Sequence, residues 1–357
     1  MNEEDKLILV INPGSTSTKI GVYKNESEIL CKGIEHSAEE LSKYSKMLEQ
    51  FEMRRDAVLD CLEENDIDRG QLSIIVARGG TLPPIDAGAV YVNDEMIKVI
   101  KSGALAEHAS NLAALIGKNI ADPLGIPVII YDGVSTDELS EIAKISGMEA
   151  ITRDSLTHAL NTKAVARKVA AENHTRYENV NYIIAHLGGG ITISLHKKGK
   201  MIDIISDDEG PFSPERAGRV PCRRLIELCY SGKYDYNTMR KMLRGKGGLV
   251  SYLGTNNAVE VEKRIKAGDE EAKLIYQAMA YQIAKGIGEL NVVAKGKIDE
   301  VIITGGIAHS RMMTDWIKDY VSFIAPITIV PGENELESLA LGGLRVVRGE
   351  EKAREYK

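Results

Sequence analysis

Short apolar runs recur along the chain, each broken by a small polar or glycine-rich loop. Residues 7–11 (LILVI) are continuously apolar, residues 12–18 (NPGSTST) are small and polar, and residues 20–23 (IGVY) return to strand formers. Apolar run, small loop, apolar run predicts a β-hairpin. A polar turn at 24–27 leads into a third stretch at 28–33. The same design returns at 182–206. There an apolar entry (182–185) meets the glycines 188–190, and an alternating strand follows, with Ile191, Ile193 and Leu195 against Thr192, Ser194 and His196. Lys198-Gly199-Lys200 reads as a tight turn into a third strand at 201–205. Each half thus opens with three short antiparallel strands and a glycine loop at the first hairpin, which is an internal duplication. A third glycine loop, VIITGGIAHS at 301–310, follows another apolar run and precedes a helical pattern.

Between the strand groups the apolar period lengthens. Leu41, Leu48, Phe51, Val58, Leu59 and Leu62, spaced among charges, predict helix over 38–65. Strands are predicted at 73–77 and 127–131, with a helix at 94–120. The second half predicts helices at 155–173, 214–231, 256–267 and 269–295, a short strand at 328–330 and a closing helix at 335–347. Strand groups alternating with helices indicate α/β layers. Arg78, Asp132, His186 and the Gly305-Gly306 pair all follow the C-terminal ends of predicted strands. That edge is where open α/β sheets collect ligands.

Composition bounds the function. With 357 residues and 43% hydrophobic side chains, the chain can bury the cores of about two domains. A formal charge of −7 argues against a dedicated nucleic-acid surface, which needs a basic footprint. No apolar run approaches the roughly 20 residues of a membrane span, and the acidic start MNEEDK has no signal-type apolar segment behind it. The expectation is a cytoplasmic protein. Cys31, Cys61, Cys222 and Cys229 lack CxxC spacing and read as free buried thiols of a reducing compartment.

The loop 12–19 offers hydroxyls, amides and backbone N–H groups that suit phosphate oxygens. It is not a Walker loop, since GxxxxGK[ST] is absent. Taken alone it is an ordinary hairpin turn; its recurrence at Gly188 and Gly305 favours a phosphate cradle. Arg78, before two glycines, reads as a guanidinium fork for a carboxylate or a transferring phosphoryl group, with a plain salt bridge as the competitor. In residues 207–218, DDEGPFSPERAG, two prolines and two glycines surround Arg216 in a rigid loop. Asp132, before Gly133, is either a turn residue or a carboxylate facing a metal or nucleophile. His158 falls in a helical pattern; His186, beside the triple glycine, is the better phosphate neighbour; His108 stays open between the two readings. No metal-ligand spacing such as HExxH occurs, so the metal to expect is Mg²⁺ arriving with nucleotide. Glu335 opens the last helix, where a first-turn carboxylate is favourable in itself.

Taken in order, NPGSTSTK, ARGG, HASNL, HALNTKAVAR, HLGGGIT, EGPFSPERAG, GTNN, VIITGGIAHS and PGENE resemble the butyrate kinase branch of the acetate kinase family. The resemblance spans nearly the whole chain, and places it in the actin-like ATPase superfamily. It implies an α/β fold of two RNase H-like domains, each with a mixed five-stranded sheet flanked by helices, and a cleft between them. The implied domains are 1–133 with 335–357, and 134–334, the latter binding nucleotide. The implied reaction is reversible phosphoryl transfer between ATP and butyrate or a branched C4–C5 acid, giving acyl phosphate and ADP. Arg78 and Arg216 would bind the carboxylate and steady the transferring group. Asn12, Ser15, Ser17 and Lys19 would hold phosphate and the waters of Mg²⁺. Asp132 and Glu335 would orient that Mg²⁺ through water, and His158 would contact the phosphoryl group in flight. His186, Gly188 and Gly190 would line the phosphate path, with Gly305, Gly306 and Ser310 under the nucleotide. His108 and Asn111 would stand behind the acyl site. Relatives are homo-oligomers, so at least a dimer is implied. The chain departs from the pattern at Gly133, where relatives carry proline, and at Asn257 and Val259, near the adenine in the wider family. The residues also leave open a non-catalytic nucleotide-binding sensor, or a sugar kinase. Two candidate arginines suit an anionic acceptor better than a sugar hydroxyl.

Overall fold

A computed structural model describes residues 5–105 and 107–357. The chain separates into two compact units, Met1–Asp137 with Asn334–Lys357, and Glu138–Glu333. In the first unit β1 (Leu7–Pro13), β2 (Ser17–Lys24) and β3 (Ser27–Glu35) form an antiparallel meander. Asn25 in the β2–β3 turn takes a positive φ of 55°, a conformation asparagine tolerates. The single helix expected at 38–65 is divided into α1 (Ala38–Leu41) and α2 (Phe51–Glu64), with irregular chain and a short 3₁₀ turn between. Then come β4 (Leu72–Ala77), β5 (Ala89–Tyr91), α3 (Asp94–Lys101), α4 (Asn111–Ala121) and β6 (Val128–Tyr131). The helix expected over 94–120 is thus interrupted. Gly103, at φ 75°, takes a left-handed turn just after α3 that a continuing helix cannot accommodate.

The second unit begins with a small hairpin, β7 (Ile145–Met148) and β8 (Ile151–Thr152), then α5 (Ala159–Glu172). A second meander follows: β9 (Asn181–Leu187), β10 (Ile191–Lys197) and β11 (Lys200–Ile205). Its second turn places Lys198 and Gly199 at φ 50° and 83°, the pair of positive angles of a type I′ hairpin. Helices α6 (Cys222–Cys229), α7 (Tyr236–Leu243), α8 (Gly248–Leu253), α9 (Ala258–Lys266) and α10 (Glu270–Val293) precede β12 (Glu300–Gly305), α11 (Arg311–Val321) and β13 (Ile327–Pro331). Only the 222–229 part of the expected helix 214–231 is helical. Pro214, Pro221 and Gly218 (φ 62°) break the N-terminal portion. The five-stranded sheet has the order β11-β10-β9-β12-β13, with β9, β12 and β13 parallel. Ile183, Ala185, Ile193, Ile205, Met279, Ile283, Ile287 and Ile303 fill one core between this sheet and α10.

Helix α12 (Glu335–Val347) and the short β14 (Arg354–Glu355) complete the first unit. Its sheet runs β14-β5-β6-β4-β1-β2-β3, so a five-strand core of the same order is extended by two edge strands. Helix α12 lies on β1, β2 and β4, and Gly342 and Gly343 sit where a Cβ would strike the Tyr131 ring and Val76. Tyr131, Arg345 and Glu351 lock this end: Tyr131 donates to Glu351 (2.6 Å) and accepts from Arg345 (2.6 Å). The cysteines depart from the buried set expected. Cys61 is buried, while Cys31, Cys222 and Cys229 are exposed. Cys31 lies on edge strand β3, and α6 buries no residue. Among the described residues no helix is long and apolar enough to cross a membrane.

Candidate functional site

In the first unit the meander brings the 12–19 loop beside the end of β4. Asn12 closes β1 and donates from Nδ2 to Glu335 Oε2 (2.7 Å), at the start of α12. Arg78, just past β4, is held by its backbone N–H on Ile11 O (2.9 Å). Arg78 is 8% exposed; its Nη2 stands 3.6 Å from Glu335 Oε1, and its Nη1 is buried with no hydrogen-bond partner among the described residues. A buried donor left unsatisfied is costly, so this atom suits a hydrogen-bond acceptor brought by a bound group. Asn12, Arg78 and Glu335, far apart in sequence, therefore form one cluster.

Behind Arg78 the chain is packed backbone to backbone. A Cβ on Gly80 would fall on Asn111, whose Oδ1 accepts from Thr81 N (2.8 Å). A Cβ on Gly79 would lie 2.9 Å from Gly133 Cα. The glycine at 133 is thus a close-approach residue against the turn that carries Arg78. His108 accepts Ser110 N–H on Nδ1 (3.2 Å) at the entry to α4. Asp132, 1% exposed and at φ 41°, accepts Gly88 N–H on Oδ1 (2.7 Å). It braces the β5–β6 corner from inside, whereas Glu335 keeps about a third of its side chain exposed. Of the two carboxylates Glu335 is the one open to a hydrated cation.

In the second unit His186, near the end of β9, is 1% exposed and stacks on His158, ring centroids 3.8 Å apart and 11° from parallel. Asn161 Oδ1 lies 2.8 Å from His186 Nδ1, so that nitrogen donates. Nε2 then faces Glu333 Oε1 at 2.9 Å, off the direction of a hydrogen bond. His158 Nδ1 meets Thr192 Oγ1 at 3.0 Å. A Cβ on Gly188 would crowd Glu333 Oε1 (3.0 Å) and His186 Nε2 (3.1 Å), and one on Gly190 would fall on the Arg216 guanidinium. The glycine loop therefore brings the histidine pair and Arg216 to one place.

Arg216 donates from Nη1 to Asp207 Oδ2 (2.5 Å). Burial pulls this guanidinium below the ordinary arginine range, and the Asp207 carboxylate opposes that pull. Its turn is fixed by Ser213, whose hydroxyl donates to Gly189 O (2.7 Å) and accepts Arg216 N–H (3.2 Å). The segment 243–250 is laced to it: Ala217 N to Leu243 O, Gly245 N and Gly247 N to Glu215 O, Leu249 N to Ser213 O. Gly248, at φ 58°, lies where a Cβ would collide with the Ser213 carbonyl.

Next to the glycine loop a cavity of about 600 Å³ is lined by Gly188, Glu215, Asn256, Val259, Gly306 and Ser310, among others. Its size suits a nucleotide. Gly305 (φ 91°) abuts Leu187, and Ser310 caps α11 by accepting Met313 N–H (3.0 Å) while donating to Glu262. Among the described residues no three His, Cys, Asp or Glu side chains are arranged to hold a metal by themselves. Glu335 beside Asn12 instead fits Mg²⁺ that keeps its waters and arrives on phosphate. Asp207, Ser213, Glu262 and Glu333 were not legible as site residues. Glu333, within PGENE, and Asp207 and Ser213, within DDEGPFSPERAG, lie in stretches the sequence marks, without a role of their own.

The Acetokinase family matches residues 87–318, nearly two thirds of the chain. Solved structures similar to this chain include the acetate kinase of Porphyromonas gingivalis, at 17% identity and TM-score 0.77 over 96% of this chain and 100% of that one. The acetate kinase of Entamoeba histolytica matches at 15% identity and TM-score 0.76, over 94% and 98%. The propionate kinase of Francisella tularensis subsp. tularensis SCHU S4 matches at 18% and 0.73, over 94% and 98%. At these identities the likeness is one of fold: α/β, with two actin-like ATPase-type domains.

Proposed function

The chain belongs to the acetokinase family of ATP-using carboxylate kinases, and on that premise we propose that it transfers phosphate reversibly between ATP and butyrate or a branched C4–C5 acid. One observation carries the acceptor's chemistry: the buried Nη1 of Arg78, which has no hydrogen-bond partner among the described residues. A carboxylate oxygen supplies the acceptor that this donor lacks, in the planar geometry a guanidinium matches best. The length of the acid rests on the sequence resemblance, in which Arg78 abuts Gly79-Gly80 directly, as acetate kinases proper do not.

In this reading Asn12, Ser15, Ser17 and Lys19 hold phosphate oxygens, and Glu335, held by Asn12, orients the water shell of Mg²⁺. Mg²⁺, when bound, neutralises charge on the phosphates. Asp132 fixes the β5–β6 corner it braces, and would reach that Mg²⁺ only through water. In the second unit Gly188, Gly190, Gly305, Gly306 and Ser310 shape the nucleotide cavity. Arg216 offers donors to the charge that builds on a transferring phosphoryl group, His158 contacts that group, and the stacked His186 lines its path. Phosphoryl transfer needs positioning and charge stabilisation more than covalent chemistry, which suits a site built of arginines, amides and hydroxyls. His108 and Asn111 support the acceptor turn. A cytoplasmic homo-oligomer is part of the same proposal.

Trapping acyl phosphate with hydroxylamine tests it, using MgATP and straight and branched acids from C2 to C6. The expected result is a kcat/KM maximum at C4–C5. No hydroxamate from any acid would sink the reading, and a maximum at C2 would sink its acid-length part.

A further inference from the structure

One residue makes most of the bonds that hold the back of the 12–19 loop. Arg54, on α2, has no solvent exposure. Its Nη1 donates to Gly14 O (2.9 Å), Ser17 O (3.0 Å) and Thr18 Oγ1 (3.1 Å), and its Nη2 to Ser15 O (3.0 Å). Nε donates to Gln50 Oε1 (3.0 Å). No carboxylate is among these partners; Glu40 acts on the guanidinium only at a distance. The remaining carbonyl of the tip, Thr16 O, accepts His36 N–H (2.9 Å), and Gly14 N closes the turn on Ser17 O (2.7 Å). Every carbonyl from 14 to 17 is therefore consumed on the protein side. Ser15, Thr16 and Lys19 are exposed on the other.

This arrangement has an electrostatic meaning. Carbonyl oxygens are the negative ends of peptide dipoles and repel a phosphate, whereas N–H groups and hydroxyls attract it. A guanidinium is suited to the task, because its rigid fork reaches several oxygens at once where an ammonium cannot. Charge buried without an ion-pair partner is costly, yet here it lies directly behind the loop that would meet an anion.

We propose that Arg54 is the positioning residue of the phosphate loop, turning the carbonyls of residues 14–17 inward so that the loop presents only donors and positive potential to a bound polyphosphate. It rests on the loop 12–19 being phosphate-binding. Arg54 itself touches no ligand. A purely structural arginine would lower the melting temperature and the active fraction while leaving affinity per active site unchanged; a positioning arginine changes that affinity.

The test is calorimetric titration of the full chain with MgATP, beside its hydroxamate activity, for wild type, Arg54→Lys and Thr18→Val. Lysine keeps the charge but cannot hold three carbonyls. The expected result for folded Arg54→Lys is a Kd for MgATP raised about tenfold or more per active site, with kcat falling as well, since hydrogen bonds to charged groups are being lost. Thr18→Val, which removes the Arg54 bond to Thr18 Oγ1 together with the Thr18–His36 bond (2.9 Å) while leaving Arg54 in place, should raise Kd about threefold. It decides the matter if Arg54→Lys does not fold. Kd and kcat within twofold of wild type in the folded variant would overturn the proposal. Wild type that binds MgATP but forms no acyl hydroxamate would sink the kinase reading, leaving Arg54 to be judged on Kd. Wild type that fails to bind MgATP would overturn both.

Discussion

Replacing Arg78 separates the acceptor role from a structural one. Among the described residues its Nη1 finds no hydrogen-bond partner, and its Nη2 lies 3.6 Å from Glu335, beyond hydrogen-bond reach. The backbone N–H that anchors the residue to Ile11 O survives any substitution except proline. Arg78→Ala therefore removes little that holds the fold together. What it removes is the pair of charge-assisted bonds a guanidinium fork makes to a bound carboxylate. At about 1.5–3 kcal/mol each, two such bonds amount to ~3–6 kcal/mol. That corresponds to a loss in kcat/KM for the acid of roughly 10²- to 10⁴-fold. Arg78→Lys keeps the charge without the fork and should fall between. The assay is hydroxamate formation with the acid varied at saturating MgATP, then the reverse. The KM for the acid should rise while that for MgATP stays put, and the melting temperature should move by no more than a few degrees. A large drop in melting temperature with the acid's KM unchanged would show Arg78 to be a structural salt-bridge residue. It would remove the main support for a carboxylate acceptor.

Two further outcomes follow from the second unit. Gly248→Ala forces a side chain into φ 58° against the Ser213 carbonyl, whereas Gly254→Ala, at φ 73°, meets nothing within 4 Å. The first should cost more than the ~1–3 kcal/mol of the strained backbone alone and reduce turnover; the second should cost only the backbone part, as thermal melts would show. A Gly248→Ala melt no lower than that of Gly254→Ala would contradict the lacing of the Arg216 turn. His196 is buried between Tyr177 (2.7 Å) and Ser194 (2.9 Å), and burial, aided by Lys163 and Arg167, holds it well below the usual histidine range. The unfolded chain then binds the extra proton first, so its contribution to stability is whole above about pH 6.5 and shrinks as pH falls below that value. Melting temperatures from pH 7.5 to 5 should decline, and His196→Gln should flatten the decline; an equal slope in both proteins would refute the assignment.

Much of the fold could be read because its signals are local. The two meanders announce themselves by apolar runs around small loops, and α12 begins and ends where the 335–347 pattern does. The stretch 214–221 misled because Arg216, Ala217 and Arg219 have helical propensity. Its backbone partners are instead supplied from 243–250, a pairing that no periodicity encodes. The candidate site divides the same way. Asn12, Arg78 and Glu335 sit in distinctive motifs. Arg54 lies in an unremarkable run of helix residues, FEMRRDAV, and nothing in that pattern says that it alone of the charged residues there turns inward beside Val58. Ser213 sits in the distinctive EGPFSPERAG motif, but its importance lies in touching Gly189 and Arg216 together, which only the fold reveals.

The return of α12 to the first sheet also bears on synthesis. Residues 138–333 are contiguous and can close their core as soon as they leave the ribosome. The earlier-made β1, β2 and β4 cannot, because the helix that covers them lies some 200 residues downstream of β6. The usual order, in which N-terminal domains fold first, is therefore inverted, and the nascent chain must keep an apolar sheet face uncovered until α12 emerges. That interval is when this protein is most exposed to aggregation and has most need of a chaperone.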